Sequence, residues 1–398
     1  MEQPYPTLEA TYDAYAKHIA PGNVALYRQL GLLGAMGERQ GAWFVDAFSG
    51  ERIYDCHCNG GVFNLGHRNP QVLQAVQEAL ETVDIGNHHL VSGYRAALAA
   101  RLAATTDGQL PGVKFAASGA EAIDLAIKTV RAVTGRSGIV SADGSYHGST
   151  GLALAAGDVY YRGPFGPNLP GFTQVGYDDV AGLDAAVGDD TAGVLLEAIP
   201  ATLGMREASP GYFAQVQSIC RERGAKLIVD EVQSGLGRTG RIWCYEHYGI
   251  SPDVVVTGKG LSGGVYPIAA ALMTSELLRF YDDHPLRNFS TFGGAEPGCA
   301  AGLAVLDVIE APGFLERVET LGQRFVEGFR DQPFVLQGRG MMMGLRFEEH
   351  LEGIAAMRAG IFFVYANHDR SAVQFLPPLT ITDEEADDII DRTCRAFA

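Results

Sequence analysis

Lys259 lies in a setting suited to covalent chemistry. An apolar run at residues 254–256 leads into this lysine through Thr257 and Gly258, and further glycines follow it. The glycines let a ligand approach the backbone closely, and an amine in apolar surroundings shifts its pKa downward, as Schiff-base chemistry requires. Only five of the 30 basic residues are lysines, and the other four suit strand starts and helix faces. Lys259 is therefore the candidate nucleophile, with a solvated loop lysine as the alternative.

A second candidate, Asp230, ends the apolar run at residues 226–230. Ligands of open α/β sheets bind at the carboxyl ends of strands, where a carboxylate can pair with a cationic ring nitrogen. The alternative is that Asp230 only caps the next turn. Residues 235–240 formally match the dinucleotide pattern G-x-G-x-x-G, but they do not directly follow a strand and no helical pattern opens after them. We interpret that run as a substrate-side or structural loop.

Two further turns supply groups that would suit a phosphorylated aromatic ring. Ser118, Gly119 and Ala120 lie between an apolar run and a helical pattern, where free N–H groups and the helix dipole bind anions. Ser118 is also a plausible helix cap. Tyr146 and His147 follow another apolar run, and a planar ring could stack on Tyr146. A buried structural tyrosine is the alternative there.

The sequence offers little support for a metal or disulfide framework. Cys56, His57 and Cys58 are adjacent, but no second Cys/His pair follows at ligand spacing. We expect buried or half-buried thiols in a strand and no metal. The six cysteines lack framework spacing, which is typical of reduced thiols in a reducing compartment.

Alternating apolar runs and amphipathic segments must position these residues. This alternation predicts βαβ units and a mainly parallel sheet with helices on both faces. A helix is predicted from residue 120, where apolar residues recur at helical spacing. The predicted strands are residues 113–116, 138–142, 193–197, 226–230, 254–257 and 267–273.

Length and charge limit the remaining possibilities. The 398 residues predict an N-terminal segment (1–55) that packs with a small domain, a large domain (56–300) and a small C-terminal domain (301–398). A formal net charge of −17 weighs against nucleic-acid binding. No apolar run reaches about 18 residues, so no membrane span is expected. The N-terminus lacks the pattern of a signal peptide, and we expect a cytoplasmic protein.

With these residues identified, the sequence resembles the class-III aminotransferases, which use pyridoxal 5′-phosphate (PLP) and include the ornithine and 4-aminobutyrate enzymes. The resemblance covers nearly the whole chain, and the blocks around Asp230 and Lys259 are the most specific. It implies the type-I fold of PLP-dependent transferases, an α/β fold with a large, mainly parallel seven-stranded sheet and a smaller α+β domain. The matching blocks are residues 61–70, 118–122, 146–148, 230–240, 257–260, 290–294, 339–344 and 377–379.

The family implies a role for each matching residue. Lys259 would form the Schiff base and move the proton between the substrate and the cofactor. Asp230 would keep the pyridine nitrogen protonated, and Gln233 would bond near the ring hydroxyl. Tyr146, with His147 beside it, would stack on the ring, and the backbone of residues 118–120 would hold the phosphate. Thr291 would reach that phosphate from the other subunit, which implies a homodimer with shared active sites.

Two positions depart from the family pattern. Many members have a Glu five residues after the one that matches Glu197, and an Arg three residues before the paired prolines. That Arg binds a substrate carboxylate, and the Glu masks it. Thr202 and Gln374 occupy these positions here. A neutral amide lacks the charge and bidentate geometry that recognise a carboxylate, so we predict a weak carboxylate grip.

These departures leave the substrate and the reaction type open. The substrate would be a terminal amine, a sugar-like or polyketide-like carbonyl compound, or an amino acid held by another arginine such as Arg370 or Arg238. The leading prediction is an aminotransferase acting between an amine or amino acid and a carbonyl acceptor. The first alternative is a PLP-dependent decarboxylase, epimerase or Cγ-elimination or replacement enzyme, because these reactions share the same starting adduct. A nicotinamide-dependent oxidoreductase and a catalytically silent binding module are the remaining alternatives.

Overall fold

Helices and strands alternate through the middle of the chain, as the apolar runs predict. The computed structural model describes residues 3–30, 34–348 and 359–397. The helices are α1 (Leu8–His18), α2 (Pro21–Leu30), α3 (Cys58–Gly61), α4 (Pro70–Leu80), α5 (Gly93–Ala104), α6 (Gly119–Thr134), α7 (Gly151–Ala156), α8 (Val159–Arg162), α9 (Val180–Ala186), α10 (Tyr212–Arg223), α11 (Ser275–Leu278), α12 (Phe280–Asp283), α13 (Glu296–Ile309), α14 (Phe314–Gly328) and α15 (Asp383–Phe397). The strands are β1 (Met36–Gln40), β2 (Trp43–Asp46), β3 (Arg52–Asp55), β4 (Gly112–Ala116), β5 (Gly138–Ala142), β6 (Phe172–Val175), β7 (Thr191–Glu197), β8 (Lys226–Asp230), β9 (Val254–Thr257), β10 (Ala269–Met273), β11 (Phe334–Arg339), β12 (Met342–Phe347), β13 (Ile361–Phe362), β14 (Val364–Tyr365) and β15 (Ala372–Phe375).

The largest sheet has seven strands in the order β4-β10-β9-β8-β7-β5-β6. Strands β5 to β9 pair in parallel, whereas β10 runs antiparallel to both of its neighbours. Every residue of β7 is buried, and its successive side chains join different apolar clusters, with Val194 on one face and Leu195 on the other. Helices therefore cover both faces of the sheet, which confirms the predicted α/β class.

Local sequence signals account for most of the elements around this sheet. The predicted strands 138–142, 226–230 and 254–257 have the bounds of β5, β8 and β9. Helix α6 begins after Ser118, whose hydroxyl accepts a hydrogen bond from the Glu121 N–H, and ends at Gly135 with a left-handed φ of 67°. The prediction missed β6, because this edge strand is only partly buried and lacks a continuous apolar run.

There are two smaller sheets, of which one joins N-terminal strands to a C-terminal strand and the other contains C-terminal strands only. The first has the order β1-β2-β3-β13, in which β13 pairs in parallel with β3. The second is antiparallel, with the order β11-β12-β15-β14. Within the described ranges, no single helix is long and apolar enough to cross a membrane. Helices α13 and α14 meet those criteria only as a pair, which is bent by 72°.

Candidate active site

Three turns of the large sheet meet at the N-terminus of α6. A Cβ added to Gly148 would lie 2.3 Å from the Ala120 Cβ, and one added to Gly119 would lie 3.0 Å from Val232 Cγ1. A Cβ added to Gly258 would lie 3.6 Å from the Gly119 nitrogen. The absence of these side chains brings the turns after β5, β8 and β9 against the same helix start. The predicted phosphate site therefore lies beside the turns that carry His147, Asp230 and Lys259.

The start of α6 is capped by its own side chains. Ser118 Oγ accepts a hydrogen bond from the Glu121 N–H at 3.3 Å, and Glu121 Oε2 accepts one from the Ala117 N–H at 2.8 Å. Ser118 thus has the capping role that its position also predicted. The N–H groups of the first helical turn have no acceptor within the helix, so those that remain free can bind an anion.

Asp230 is fixed by two hydrogen bonds at the end of β8. Its Oδ2 lies 2.8 Å from His147 Nδ1, and its Oδ1 accepts a hydrogen bond from the Val232 N–H at 3.0 Å. Both Asp230 and His147 are buried, and His147 Nε2 has no partner among the described residues. The pair places a carboxylate of fixed orientation at the carboxyl edge of the sheet.

Lys259 occupies the first position of a short 3-10 helix, with an unusual backbone φ of 40°. Its Nζ donates a hydrogen bond to Gln233 Oε1 at 3.1 Å. Burial lowers the pKa of Lys259, and the nearby charges of Asp230 and Glu197 oppose this shift. A lowered pKa favours the neutral amine, which is the nucleophilic form. The unusual φ is consistent with backbone strain retained at a reactive residue.

The opposite side of the amine is formed by α3, a left-handed loop. Cys58, Asn59, Gly60 and Gly61 have consecutive φ values of 52°, 50°, 66° and 89°. A Cβ added to Gly60 would lie 3.1 Å from Lys259 Nζ and 3.6 Å from Gln233 Nε2. The loop therefore brings bare backbone against the reactive amine. Sequence analysis missed Gly60, although the adjacent Gly60-Gly61 pair signalled a turn with positive φ.

Glu197 lies beneath the aromatic turn after β5. Its Oε1 accepts a hydrogen bond from the Tyr146 N–H at 3.0 Å, and burial raises the pKa of its carboxyl to about 7. The nearby His147 charge opposes that shift. Tyr146 keeps 40% of its surface exposed, and its ring centroid lies 4.8 Å from that of Tyr161. Glu197 thus fixes the turn, while the Tyr146 ring stays accessible for stacking.

Gln374 and Thr202 have different surroundings. Gln374 lies on β15 and is 8% exposed, and its Oε1 accepts a hydrogen bond from Gln233 Nε2 at 3.3 Å. It therefore belongs to the network of Lys259. Thr202 is buried and donates its hydroxyl proton to the Gly144 carbonyl. That contact stabilises the turn after β5.

The segment of Gln374 also lies against the turn of His57, because the Leu376 N–H donates a hydrogen bond to the Cys56 carbonyl at 2.6 Å. Sequence analysis examined His57 only as a metal ligand and missed this contact. Among the described residues, no group of three or more His, Cys, Asp or Glu side chains could hold a metal ion. Cys56 and Cys58 are buried free thiols, but the prediction that they lie in a strand is wrong, because β3 ends at Asp55 and the chain turns there into α3.

Thr291 lies apart from these contacts within one protomer. It is exposed, and its carbonyl accepts a hydrogen bond from His88 Nε2 at 2.8 Å. The nearby Phe292 is 57% exposed. The predicted contact of Thr291 with a phosphate of the other subunit stays a prediction.

The residues that converge here fit PLP. The helix start of α6 offers N–H groups to a phosphate, and glycines at 119, 148 and 258 let the neighbouring turns pack closely around it. Asp230 offers a buried carboxylate to a ring nitrogen, and Lys259 offers an amine to an aldehyde. The exposed ring of Tyr146 suits stacking. All four groups occur at one edge of one sheet.

Comparisons with known proteins agree with this geometry. The family model for aminotransferase class-III matches residues 29–397. An uncharacterized aminotransferase from Archaeoglobus fulgidus is 45% identical over 395 residues, which cover 97% of this chain and 93% of the relative. The ornithine aminotransferase from Toxoplasma gondii ME49 superposes with a TM-score of 0.90 at 25% identity, over 99% of this chain and 96% of the other. A thermostable (S)-enantioselective omega-transaminase from Thermomicrobium roseum gives a TM-score of 0.88 at 26% identity, over 99% of this chain and 98% of the other.

These findings confirm the predicted type-I fold and the predicted cofactor, PLP. They favour transamination over the other PLP reactions that the sequence left open, because the relative and the structural neighbours are named aminotransferases or transaminases. The chain belongs to the class-III aminotransferase family and is a PLP-dependent aminotransferase.

Proposed function

We propose that this aminotransferase takes its amino group from a donor that is not held by an arginine–carboxylate contact. The observation that carries the proposal is the position of Gln374. This buried neutral amide is joined through Gln233 to the amine of Lys259. An amide can hydrogen bond to a donor, but it cannot neutralise a carboxylate or hold it with the bidentate geometry of a guanidinium.

The two other arginines considered from the sequence offer little help to a carboxylate. Arg238 is 1% exposed, and its Nη1 donates hydrogen bonds to the carbonyls of Pro377 at 2.6 Å and Met341 at 3.3 Å. Its guanidinium thus stabilises backbone inside the protein. Arg370 is exposed in the loop before β15. The buried carboxylates Glu197 and Asp230 near Lys259 further disfavour an anionic donor group.

In the proposed mechanism, residues of this chain hold PLP and move protons. The start of α6 would bind the phosphate, Tyr146 would stack on the ring, and Asp230 would keep the ring nitrogen protonated. When bound, PLP supplies an aldehyde and an electron-accepting ring. Lys259 Nζ removes the proton from the donor carbon that carries the amino group, because its lowered pKa leaves the amine free to act as a base.

We also infer a homodimer with shared active sites. Exposed apolar side chains lie close to Thr291 in sequence, including Phe289, which is 48% exposed, and Phe292. An exposed apolar patch of this kind is typical of an association surface.

Mixing inactive Lys259→Ala chains with inactive Thr291→Asp chains tests whether the two subunits share their active sites. If Thr291 serves the partner's site, a mixed dimer has both substitutions in one of its two active sites. The second active site is then unmodified, and the mixture regains activity. No recovery after subunit exchange would contradict it.

A donor comparison tests the central proposal. We expect Gln374→Arg to raise the rate with glutamate relative to a primary amine donor by at least about tenfold, or about 1.4 kcal/mol, because it adds a carboxylate partner. Single-turnover loss of the PLP absorbance measures this rate. Gln215→Arg, at an exposed position on α10, is the matched control for added charge. The proposal is wrong if the unmodified enzyme prefers glutamate and Gln374→Arg gives no gain.

A further inference from the structure

The backbone of His57 is held rigidly beside the active site. Its N–H donates a hydrogen bond to Asp55 Oδ1 at 3.1 Å, in the turn between β3 and α3. Asp55 Oδ2 lies 2.9 Å from His67 Nε2, and both of these side chains are almost fully buried. The Asp55–His67 pair thus fixes the turn that carries His57.

The His57 ring reaches the hydrogen-bond network of the reactive amine. It is half-buried and contacts the Phe362 ring at a centroid distance of 6.3 Å. The Leu376 N–H donates a hydrogen bond to the Cys56 carbonyl at 2.6 Å, which brings the segment of Gln374 against the turn of His57. From Gln374 the network continues through Gln233 to Lys259 Nζ. A Cβ added to Gly60, three residues after His57, would lie 3.1 Å from Lys259 Nζ, so the turn that carries His57 lies beside the amine.

The surroundings keep His57 neutral. Burial lowers the pKa of its imidazole to about 4; the Lys259 charge acts in the same direction, whereas Asp55 and Gln374 oppose it. At neutral pH the ring therefore has one N–H donor and one nitrogen acceptor. The amide of Gln374 also offers both a donor and an acceptor. Two neutral groups of mixed donor and acceptor character thus lie beside Lys259.

We propose that His57 and Gln374 form a neutral hydrogen-bonding wall that selects amino donors with a carboxamide on the reacting carbon or a hydroxyl on the carbon next to it. The inference rests on the proposed function and narrows its substrate class. A hydroxyl or carboxamide can donate to and accept from this wall, whereas an alkyl group leaves its polar groups unpaired. A carboxylate offers only acceptors and meets no fixed positive charge.

The selected group takes no part in the chemistry. The donor loses its amino group to PLP, its C–N bond is broken, and water supplies the oxygen of the ketone or aldehyde product. The hydroxyl or carboxamide stays unchanged and serves only for recognition. His57 is accordingly a specificity-determining residue, and Lys259 moves the proton.

Two isosteric donor pairs test the wall with the PLP-loaded enzyme. Alaninol and sec-butylamine differ by a hydroxyl in place of a methyl, and alaninamide and alanine differ by an amide nitrogen in place of a carboxylate oxygen. We expect the first member of each pair to react at least about tenfold faster in kcat/KM. Loss of the PLP absorbance in single turnovers measures the half-reaction for each donor.

Substitutions at position 57 assign the preference to the ring. His57→Phe should lower the ratio of alaninol to sec-butylamine about tenfold while the rate with sec-butylamine changes less than about threefold, since only the polar contact is lost. His57→Asn, which keeps a donor and an acceptor, should restore most of the ratio. His284→Phe, at an exposed position after α12, is the control for adding a phenyl ring.

The outcomes separate this inference from the proposed function. If kcat/KM is low for alanine but equal for sec-butylamine and alaninol, the proposed function stands and the proposed wall is wrong. If His57→Phe slows all four donors equally and leaves both ratios intact, His57 has only a structural role. If no donor converts PLP to its amino form, the proposed function fails and the inference fails with it. Should His57→Phe not fold, the unmodified enzyme and His57→Asn still decide the question.

Discussion

The two sides of the active site differ in charge and in origin. The cofactor side comprises residues 118–120, 146–147 and 230, and all of them follow strands of the large sheet. It contains a buried carboxylate paired with a histidine. The substrate side comprises His57, Gly60 and Gln374, which come from a loop near the N-terminus and from a strand near the C-terminus. Its polar side chains are an imidazole and an amide.

This difference separates chemistry from specificity. The cofactor side needs fixed charges at the ends of parallel strands, where a shared sheet holds every group in register. The substrate side is assembled from segments that meet only through the fold, so their side chains can change without disturbing the sheet. We therefore expect substitutions on the cofactor side to reduce all reactions, and those on the substrate side to change the choice of donor.

The largest effect is expected at Lys259, between the two sides. Lys259→Ala removes the only described amine in this network, and we expect kcat to fall at least about a thousandfold with every donor. Single-turnover absorbance and borohydride trapping, followed by peptide mapping, measure the loss of both proton transfer and covalent attachment. Lys17→Ala, at an exposed position on α1, is the matched control. A labelled peptide at any other lysine would contradict the assignment.

The next largest effect is expected at Asp230, on the cofactor side. Asp230→Asn keeps the shape but removes the charge that His147 orients, so we expect kcat to fall about a hundredfold for all donors alike. Steady-state kinetics with two chemically different donors measure it. Asp189→Asn, at an exposed position, should leave both rates unchanged. A loss confined to one donor would mean that Asp230 serves specificity.

The same difference explains what the sequence could predict. The strands that precede Asp230 and Lys259 are continuous apolar runs, and the functional residues follow them directly, so local patterns locate them. His57 and Gln374 lie more than 300 positions apart, and their segments meet through the hydrogen bond from the Leu376 N–H to the Cys56 carbonyl, so no local pattern connects them. The position of Gln374 entered the prediction only through its departure from the family. The edge strand β6 was missed because partial burial leaves no apolar signature.

A smaller effect is expected at Gly60, on the substrate side. Gly60→Ala places a methyl group 3.1 Å from Lys259 Nζ, and we expect kcat/KM to fall about tenfold, or about 1.4 kcal/mol. Gly135→Ala is a matched control, because Gly135 has a similar φ of 67° but nothing within 4 Å of an added Cβ. Both variants should lose about 1–2 kcal/mol of stability in denaturant unfolding. Equal kinetic losses would mean that backbone strain alone causes the defect.

The last effect concerns stability and not catalysis, and it arises at Glu231, next to the cofactor side. Burial raises the pKa of Glu231 to about 7, although its carboxylate accepts hydrogen bonds from the Ser234 hydroxyl and the Tyr245 N–H. Between about pH 4.5 and 7 the folded protein binds this proton more tightly than the unfolded chain does. The stability contributed by Glu231 is therefore greatest at low pH and decreases as the pH rises through this window.

Glu231→Gln removes this titration, so the comparison of the two proteins isolates it from other groups. Burial lowers the pKa of His247 to about 4, which makes stability rise with pH over part of the same range in both proteins. We expect the free energy of unfolding of the unmodified enzyme to fall by about 2.5 kcal/mol relative to Glu231→Gln between pH 5 and pH 8. Urea unfolding of the cofactor-free proteins at the two pH values measures this difference. If the difference in unfolding free energy between the two proteins does not change with pH, Glu231 has the same pKa in the folded and unfolded chains. Burial would then not raise the pKa of this carboxyl.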